Sequence, residues 1–344
     1  MGEFNIRLCY PSDWVREPNP SAQAAEGRTL NWLREHGIVH DARSERAFAE
    51  MNVAEYAGRP FPLADAETLE LLMKTLTLWL LYDDVIEGRS ETDPELLLDC
   101  VCGIKQATGQ ESAVHQAWLE LGIECRTRMS PAWVERHRQR FATWLRSVQN
   151  EARMVNAYRA SGSAPSLLDY LSVRMVTIGV VPTLDFLEID LGAELPPSFL
   201  SSNIYRDLEV AATLLVILQN DITGFTKDRL NHWLNGALSA AGPEGDPLDG
   251  LHALVRLHDE YVVLLASRTA ELSAHSTHLQ QWAERLCLMV GGWSKWHVAA
   301  RRYSDRLEVS AGHIVHIASD VRELSPAPAD RAPDLLPDLK RLCG

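Results

Sequence analysis

Long stretches with apolar residues recurring every three or four positions alternate along this chain with short polar breaks bearing Pro or Gly. That spacing is the signature of helices with a buried face, while the period-two alternation of strands is scarce. The pattern predicts helices over about 28–36, 43–56, 65–87, 94–107, 111–127, 131–159, 165–187, 197–224, 228–240, 246–274, 276–303 and 311–322. Gly58-Arg59-Pro60, Leu195-Pro196-Pro197 and Ala241-Gly242-Pro243 mark breaks between them. Ser130-Pro131 reads as an N-cap followed by Pro at the first helical position. Residues 1–25 are polar, contain Pro18 and Pro20, and read as an irregular lead-in. The tail 324–344, rich in Pro, Ala and Asp, reads as disordered. No internal repeat and no long linker divides the remainder, so one all-α domain is expected over 26–323.

Composition narrows the range of functions. Hydrophobic residues make up 46% of the 344, enough for a substantial core. A net charge of −14 argues against nucleic acid as the main partner, because phosphate backbones attract basic surfaces. It leaves a small anionic substrate open, since metal ions and a few local cations reverse the field inside one cleft. Residues 1–27 lack a basic-then-apolar leader, and no apolar run of about 18 residues is evident, so no membrane span is expected. The six cysteines are sparse and lack zinc spacing, which points to reduced thiols and a cytoplasmic setting.

Two segments carry candidate chemistry. The apolar run 214–218 leads into Asn220-Asp221-Ile222-Thr223-Gly224-Phe225-Thr226-Lys227-Asp228. On one helix Asn220, Gly224 and Asp228 are spaced i, i+4, i+8 and fall near one face. A carbonyl oxygen and a carboxylate then project together from an apolar wall, and hard oxygen ligands on a rigid element suit Mg²⁺. Asn and Asp at the end of an apolar helix also act as caps, so this segment alone leaves both readings open. The second segment runs from apolar 76–82 into Asp83-Asp84-Val85-Ile86-Glu87. Asp83 and Glu87 share a face, where like charges repel unless a cation lies between them. A solvated acidic turn is the alternative, but the preceding helix is too apolar for a solvated face, which favours a cavity mouth. Arg174 stands among Leu171, Val173, Met175 and Val176 and needs an anion if buried, either a protein carboxylate or a bound group.

Together the two segments resemble the metal-binding pair of bacterial class I terpene synthases. Asp83, Asp84 and Glu87 match the family's DDxx(D/E) motif. Asn220, Asp221, Lys227 and Asp228 match (N/D)Dxx(S/T)xx(K/R)(D/E), with Gly224 standing where the family has Ser or Thr. Arg174, 46 residues before Asn220, fits the family's pyrophosphate-sensing arginine. Arg302-Tyr303 fit its downstream Arg-Tyr pair, and Trp296 fits the bacterial pattern ahead of that pair. The resemblance spans about residues 60 to 305.

The resemblance implies a single-domain class I terpenoid synthase α-helical bundle around an apolar cavity, three Mg²⁺ ions, an isoprenyl diphosphate substrate and a homodimer as a common assembly. It implies Asp83, Glu87, Asn220 and Asp228 as metal ligands, with Asp84 completing the first motif and water filling the ligand position lost at Gly224. Arg174, Lys227, Arg302 and Tyr303 would surround the diphosphate. Thr177 and Ile178 would be the linker and effector beside the sensor, where Gly179 and Pro182 are expected to disturb the helix. Trp79 and Trp296 would face a carbocation through their rings, unless they are ordinary core residues. The scarcity of large rings near 79, 173–184 and 212–218 leans toward the C20 substrate geranylgeranyl diphosphate over the C15 farnesyl diphosphate. Chain-elongating prenyl diphosphate synthases carry two DDxxD-type motifs and class II cyclases a DxDD; this chain has neither pattern. A helical binding or scaffold protein with fortuitous acidic clusters is the non-enzyme alternative.

Overall fold

The structure, a computed structural model, describes residues 2–86, 94–104, 112–272, 276–300, 313–322 and 333–342. Two compact units emerge. One comprises 1–15, 147–181 and 195–344; the other comprises 16–146 and 182–194.

The second unit holds α1 (Ala22–Glu35), α2 (Ala42–Met51), α3 (Val53–Gly58), α4 (Ala66–Ile86), α5 (Pro94–Val101), α6 (Ala113–Arg128) and the first half of α7 (Pro131–Ser161). After α8 (Leu167–Thr177) and α9 (Val180–Thr183) in chain order, it also holds α10 (Phe186–Leu191). Within this unit α4 packs on α1, α3, α6 and α10. Asn52, in the left-handed region at φ 52°, separates α2 from α3 where one helix was expected over 43–56.

The first unit is built around a helix buried on all sides. Following α11 (Pro197–Leu200), α12 (Asn203–Leu230) starts at Ser202, whose side chain accepts from the Tyr205 N–H, and every residue from 207 to 219 is buried. A helix that is apolar all round belongs in a core. Packed on it are α8, α11, α13 (Gly236–Ala241), α14 (Pro247–Glu271), α15 (Thr277–Ala299) and α16 (Leu336–Leu342). By length and composition α12 and the interrupted stretch Leu167–Leu191 could each cross a membrane, but 94% of the apolar window of α12 is buried inside the protein.

Four expectations give way here. Part of the lead-in is a strand, β1 (Gly2–Tyr10), and the helix expected over 311–322 is a strand, β2 (His313–Val321). They pair in parallel from Gly2↔His313 to Tyr10↔Val321. The reason is period-two patterning on a small scale. Ile6, Leu8 and Tyr10 are buried between exposed Asn5 and Arg7, and buried Val315 is followed by exposed His316. The tail is ordered over α16, where Leu336 and Leu339 are buried one turn apart and Lys340 Nζ reaches Asp207 Oδ1 at 2.5 Å. Finally, the helix expected over 228–240 is two elements. α12 runs on to Leu230, His232 adopts φ 53°, and α13 begins at Gly236.

Candidate active site

The end of α12 and the face of α8 meet in one buried cluster. α8 begins at Ser166, which accepts from the Asp169 N–H, and presents Tyr170 and Arg174 one turn apart. Arg174 is 13% exposed and its guanidinium is divided among three oxygens. Nη1 donates to Glu151 Oε1 at 2.6 Å and to Thr177 Oγ1 at 3.5 Å, while Nη2 donates to Asn220 Oδ1 at 3.5 Å. The arginine and the first residue of the Asn220–Asp228 motif are therefore brought together.

The two acids of that motif differ in their partners. Asp221 is buried; its Oδ2 accepts from the Tyr170 hydroxyl at 2.9 Å, and its carboxylate also accepts from the Gly236 N–H. A Cβ at position 236 would stand 2.5 Å from Asp221 Oδ2, so glycine is required for this approach. Burial raises the Asp221 carboxyl to about 7, against the opposing pull of Arg174 and Tyr170. Asp228 Oδ2 accepts from Asn235 Nδ2 at 2.8 Å. Burial also raises the Asp228 carboxyl, opposed by the Asn235 hydrogen bond and by Lys227 and Arg174.

Gly224 lies beneath the Asp228 carboxylate. A Cβ there would meet Asp228 Oδ2 at 3.0 Å and Cγ at 3.5 Å. A side chain at 224 would therefore crowd the end of the Asp228 side chain, which would have to shift slightly to admit it. Thr223, the neighbouring hydroxyl, is turned back onto its own helix, donating to Gln219 O at 2.5 Å.

The remaining candidates distribute as follows. Thr177 ends α8 and Ile178 is its C-cap, ahead of Gly179 at φ 79°. A helix end frees the carbonyls of its last turn, the property an effector at Ile178 requires. Lys227 Nζ sits 4.8 Å from the centre of the Trp233 ring. Trp296 is buried on α15. In the other unit Trp79 is buried against Phe141 and Trp144, each with ring centres 4.9 Å away. The Trp79 neighbourhood is thus richer in large rings than the local sequence implied. Asp83 and Asp84 occupy the last turn of α4, but their side chains, like Glu87, Arg302 and Tyr303, lie outside the described residues.

Sequence reasoning missed Tyr170, Glu151, Asn235 and Gly236. Two signals were available: Tyr170 precedes Arg174 by one helical turn, and Asn235-Gly236 is a turn-forming dipeptide. Nothing in the local sequence marks Glu151.

Comparison with known proteins gives the class. The family model "Terpene synthase family 2, C-terminal metal binding" matches residues 74–239. Pristinol synthase of Streptomyces pristinaespiralis is 27% identical, over 65% of this chain and 60% of that protein. A (−)-β-caryophyllene synthase of Saccharothrix espanaensis, described as cyclizing (2E,6E)-farnesyl diphosphate, is 28% identical over 62% and 61%. The matches thus span only about three-fifths of the length of these two relatives. Pentalenene synthase of Streptomyces avermitilis aligns over 90% of this chain and 96% of its own length at 26% identity. The crystal structure of linalool/nerolidol synthase from Streptomyces clavuligerus, in complex with 2-fluorogeranyl diphosphate, superposes with a TM-score of 0.71 at 22% identity, covering 83% of this chain and 97% of that one. The fold is that of the class I terpenoid synthases. Within that class the chain is similar to bacterial terpene synthases, over the matched metal-binding region and the relatives above.

A metal is implied by the family, and the described donors suit one. Among the described residues no three His, Cys, Asp or Glu side chains group as a metal cage, so the donors in view are Asn220 Oδ1 and the Asp228 carboxylate. Both are hard oxygens, and Asp228 is a half-buried carboxylate hydrogen-bonded to a neutral amide. Such a group gains by meeting a cation.

Proposed function

We propose that this protein is a Mg²⁺-dependent class I terpene cyclase that ionises a linear isoprenyl diphosphate and lets the resulting allylic cation cyclise. The observation that carries the reading is the contact of Arg174 with Asn220 Oδ1, which joins a fixed cation to a hard-oxygen donor across 46 residues of sequence. Asn220 and Asp228, with Asp83, Asp84 and Glu87, would hold Mg²⁺, which when bound stabilises the negative charge growing on the diphosphate as the C–O bond breaks.

The protein's own groups do the rest. Glu151 and Asn220 hold the Arg174 fork in orientation, so its charge is available to diphosphate oxygens with little reorganisation. Lys227, Arg302 and Tyr303 would add donors to the same anion. Buried aromatic faces stabilise cations without adding to them as water would, a role suited to Trp79 and Trp296.

The substrate we favour is farnesyl diphosphate. The lean toward a C20 substrate rested on a scarcity of rings near 79, 173–184 and 212–218, and Phe141 and Trp144 beside Trp79 count against the first of these. The caryophyllene synthase among the relatives supports the C15 choice.

The test is diphosphate release from C10, C15 and C20 diphosphates with and without Mg²⁺, with products identified by mass spectrometry. The expected result is Mg²⁺-dependent turnover of the C15 compound without isopentenyl diphosphate. No release from any of them would favour a scaffold, an isopentenyl diphosphate requirement an elongating enzyme, and turnover of the C20 compound alone a diterpene cyclase.

A further inference from the structure

We infer that Asn235, which lies beyond the recognised motif, is a positioning residue that orients Asp228 in place of the hydroxyl side chain missing at 224. The inference rests on reading Asn220 and Asp228 as metal ligands. Asn235 is fully buried in the turn between α12 and α13. Its Nδ2 donates to Asp221 O at 2.9 Å and to Asp228 Oδ2 at 2.8 Å, while its Oδ1 accepts from the Ala237 N–H at 2.9 Å.

These partners fix the orientation of the amide. Turning it over would set a carbonyl against two oxygens and leave the Ala237 N–H facing an amide donor. Asn235 thus links three things: the cap of α13, the backbone at Asp221 and the Asp228 carboxylate. The carboxylate is held from above by this amide and rests from below on Gly224, where a Cβ would stand 3.0 Å from Oδ2. Oδ2 is committed to Asn235, and Oδ1 is the oxygen left for a cation.

Gly224 and Asn235 therefore work as a pair. A Cβ at 224 would press on the carboxylate that the amide holds. The departure from the family pattern at 224 goes with a compensating residue 11 positions later. This arrangement positions a ligand without itself being one.

A residue that served only as a helix cap would be replaced by Ser at little cost, since Ser caps as well as Asn. Ser cannot carry the amide donor to Asp228. The experiment titrates the full-length protein with Mn²⁺ in the presence of inorganic pyrophosphate, reading bound metal by electron paramagnetic resonance and folding by thermal melts. Asn235→Ser is expected to weaken Mn²⁺ binding about 10–100-fold, the usual scale for losing a group that orients a metal ligand. Gly224→Ala is expected to weaken binding while raising the melting temperature, because Ala favours the helix and its Cβ disturbs the carboxylate. Those opposite signs separate positioning from stability. Wild-type binding that is abolished by Asn220→Ala but unchanged in Asn235→Ser would overturn this inference alone. If Asn235→Ser fails to melt cooperatively, Gly224→Ala decides, and unchanged Mn²⁺ affinity there overturns it. Wild-type protein that binds no Mn²⁺ would overturn the metal-site reading and this inference with it.

Discussion

Two groups of buried carboxylates, one in each unit, are compensated in opposite ways. Asp185 and Glu188, at the start of α10, are almost fully enclosed and surrounded by cations from α7. Arg136 reaches Asp185 at 3.1 Å and Glu188 at 2.6 Å, Arg140 reaches Asp185 at 2.7 Å, and His137 Nδ1 lies 3.1 Å from its other oxygen. Burial pushes the Asp185 carboxyl up, yet Arg140, His137 and Arg136 outweigh it and hold it below the usual range. Asp221 is buried to a similar degree and Asp228 is half-buried, but the groups that hydrogen-bond them are neutral: a phenol, an amide and a backbone N–H. Their carboxyls are raised. The first cluster is electrically closed and has a structural role. In the second, burial raises both carboxyls against the pull of Arg174, as expected of a site that completes itself with a cation from solution.

The comparison is most open to breaking at its closed end. Asp185→Ala strips Arg136, Arg140 and His137 of a shared anion, and breaking a buried ionic network this way costs about 3–5 kcal/mol. Urea unfolding at neutral pH should show that loss; a change under about 1 kcal/mol would mean the network is not what holds α10.

The pH dependences of the two clusters should have opposite signs. Asp185 titrates lower when folded, so its contribution is present above its unfolded value of 3.8 and is lost as the pH falls. Asp221 titrates near 7 when folded and at 3.8 when unfolded, so its contribution is complete below 3.8 and is lost as the pH rises to about 7. Across that window the loss is at most about 4 kcal/mol. Asp221→Asn cannot titrate, so its stability relative to wild type should climb from pH 4 to pH 8 in parallel urea melts. A constant difference would show that Asp221 is already ionised in the folded protein at low pH.

Function should divide the clusters the other way. Asn220→Ala removes a hard-oxygen donor and one partner of Arg174. Diphosphate release should fall about 10²–10³-fold, the scale of deleting one contact to developing charge. The melting temperature should move little, because Asn220 is partly exposed at the edge of α12. Full activity in this variant would remove the metal assignment.

How much of this was legible depended on whether partners lie along one element. Asn220, Gly224 and Asp228 share a helix, so spacing alone set them on one face. Arg174 was legible through its offset to Asn220, and the contact at Asn220 Oδ1 is where the two converge. Asn235 was not, because the apolar pattern ran a helix through 228–240 and hid the turn in which Asn235 sits. The strands escaped for a different reason. Each is nine residues long and is satisfied only by the other, at the opposite end of the chain, so local periodicity could not reveal the pairing. In α16, a run rich in Pro, Ala and Asp concealed Leu336 and Leu339, whose burial depends on α12.

The finest test of the contrast is Tyr170→Phe, which removes one neutral donor from Asp221 and leaves the ring in place. Below about pH 4 the Asp221 carboxyl is neutral, and the lost hydrogen bond should cost about 1 kcal/mol. Above pH 7 the same phenol donates to a carboxylate, and hydrogen bonds to charged groups are worth about 1.5–3 kcal/mol. The cost of the substitution should therefore grow with pH, since losing the donor raises the folded Asp221 titration further. In an Asp221→Asn background that growth should vanish, because nothing at 221 then changes charge. Arg174 bears on the outcome, as it also pulls the Asp221 titration down. If Tyr170→Phe costs the same at pH 4 and pH 8, the arginine carries the stabilisation of the Asp221 charge. The cluster would then resemble the Asp185 network more closely than its hydrogen bonds suggest.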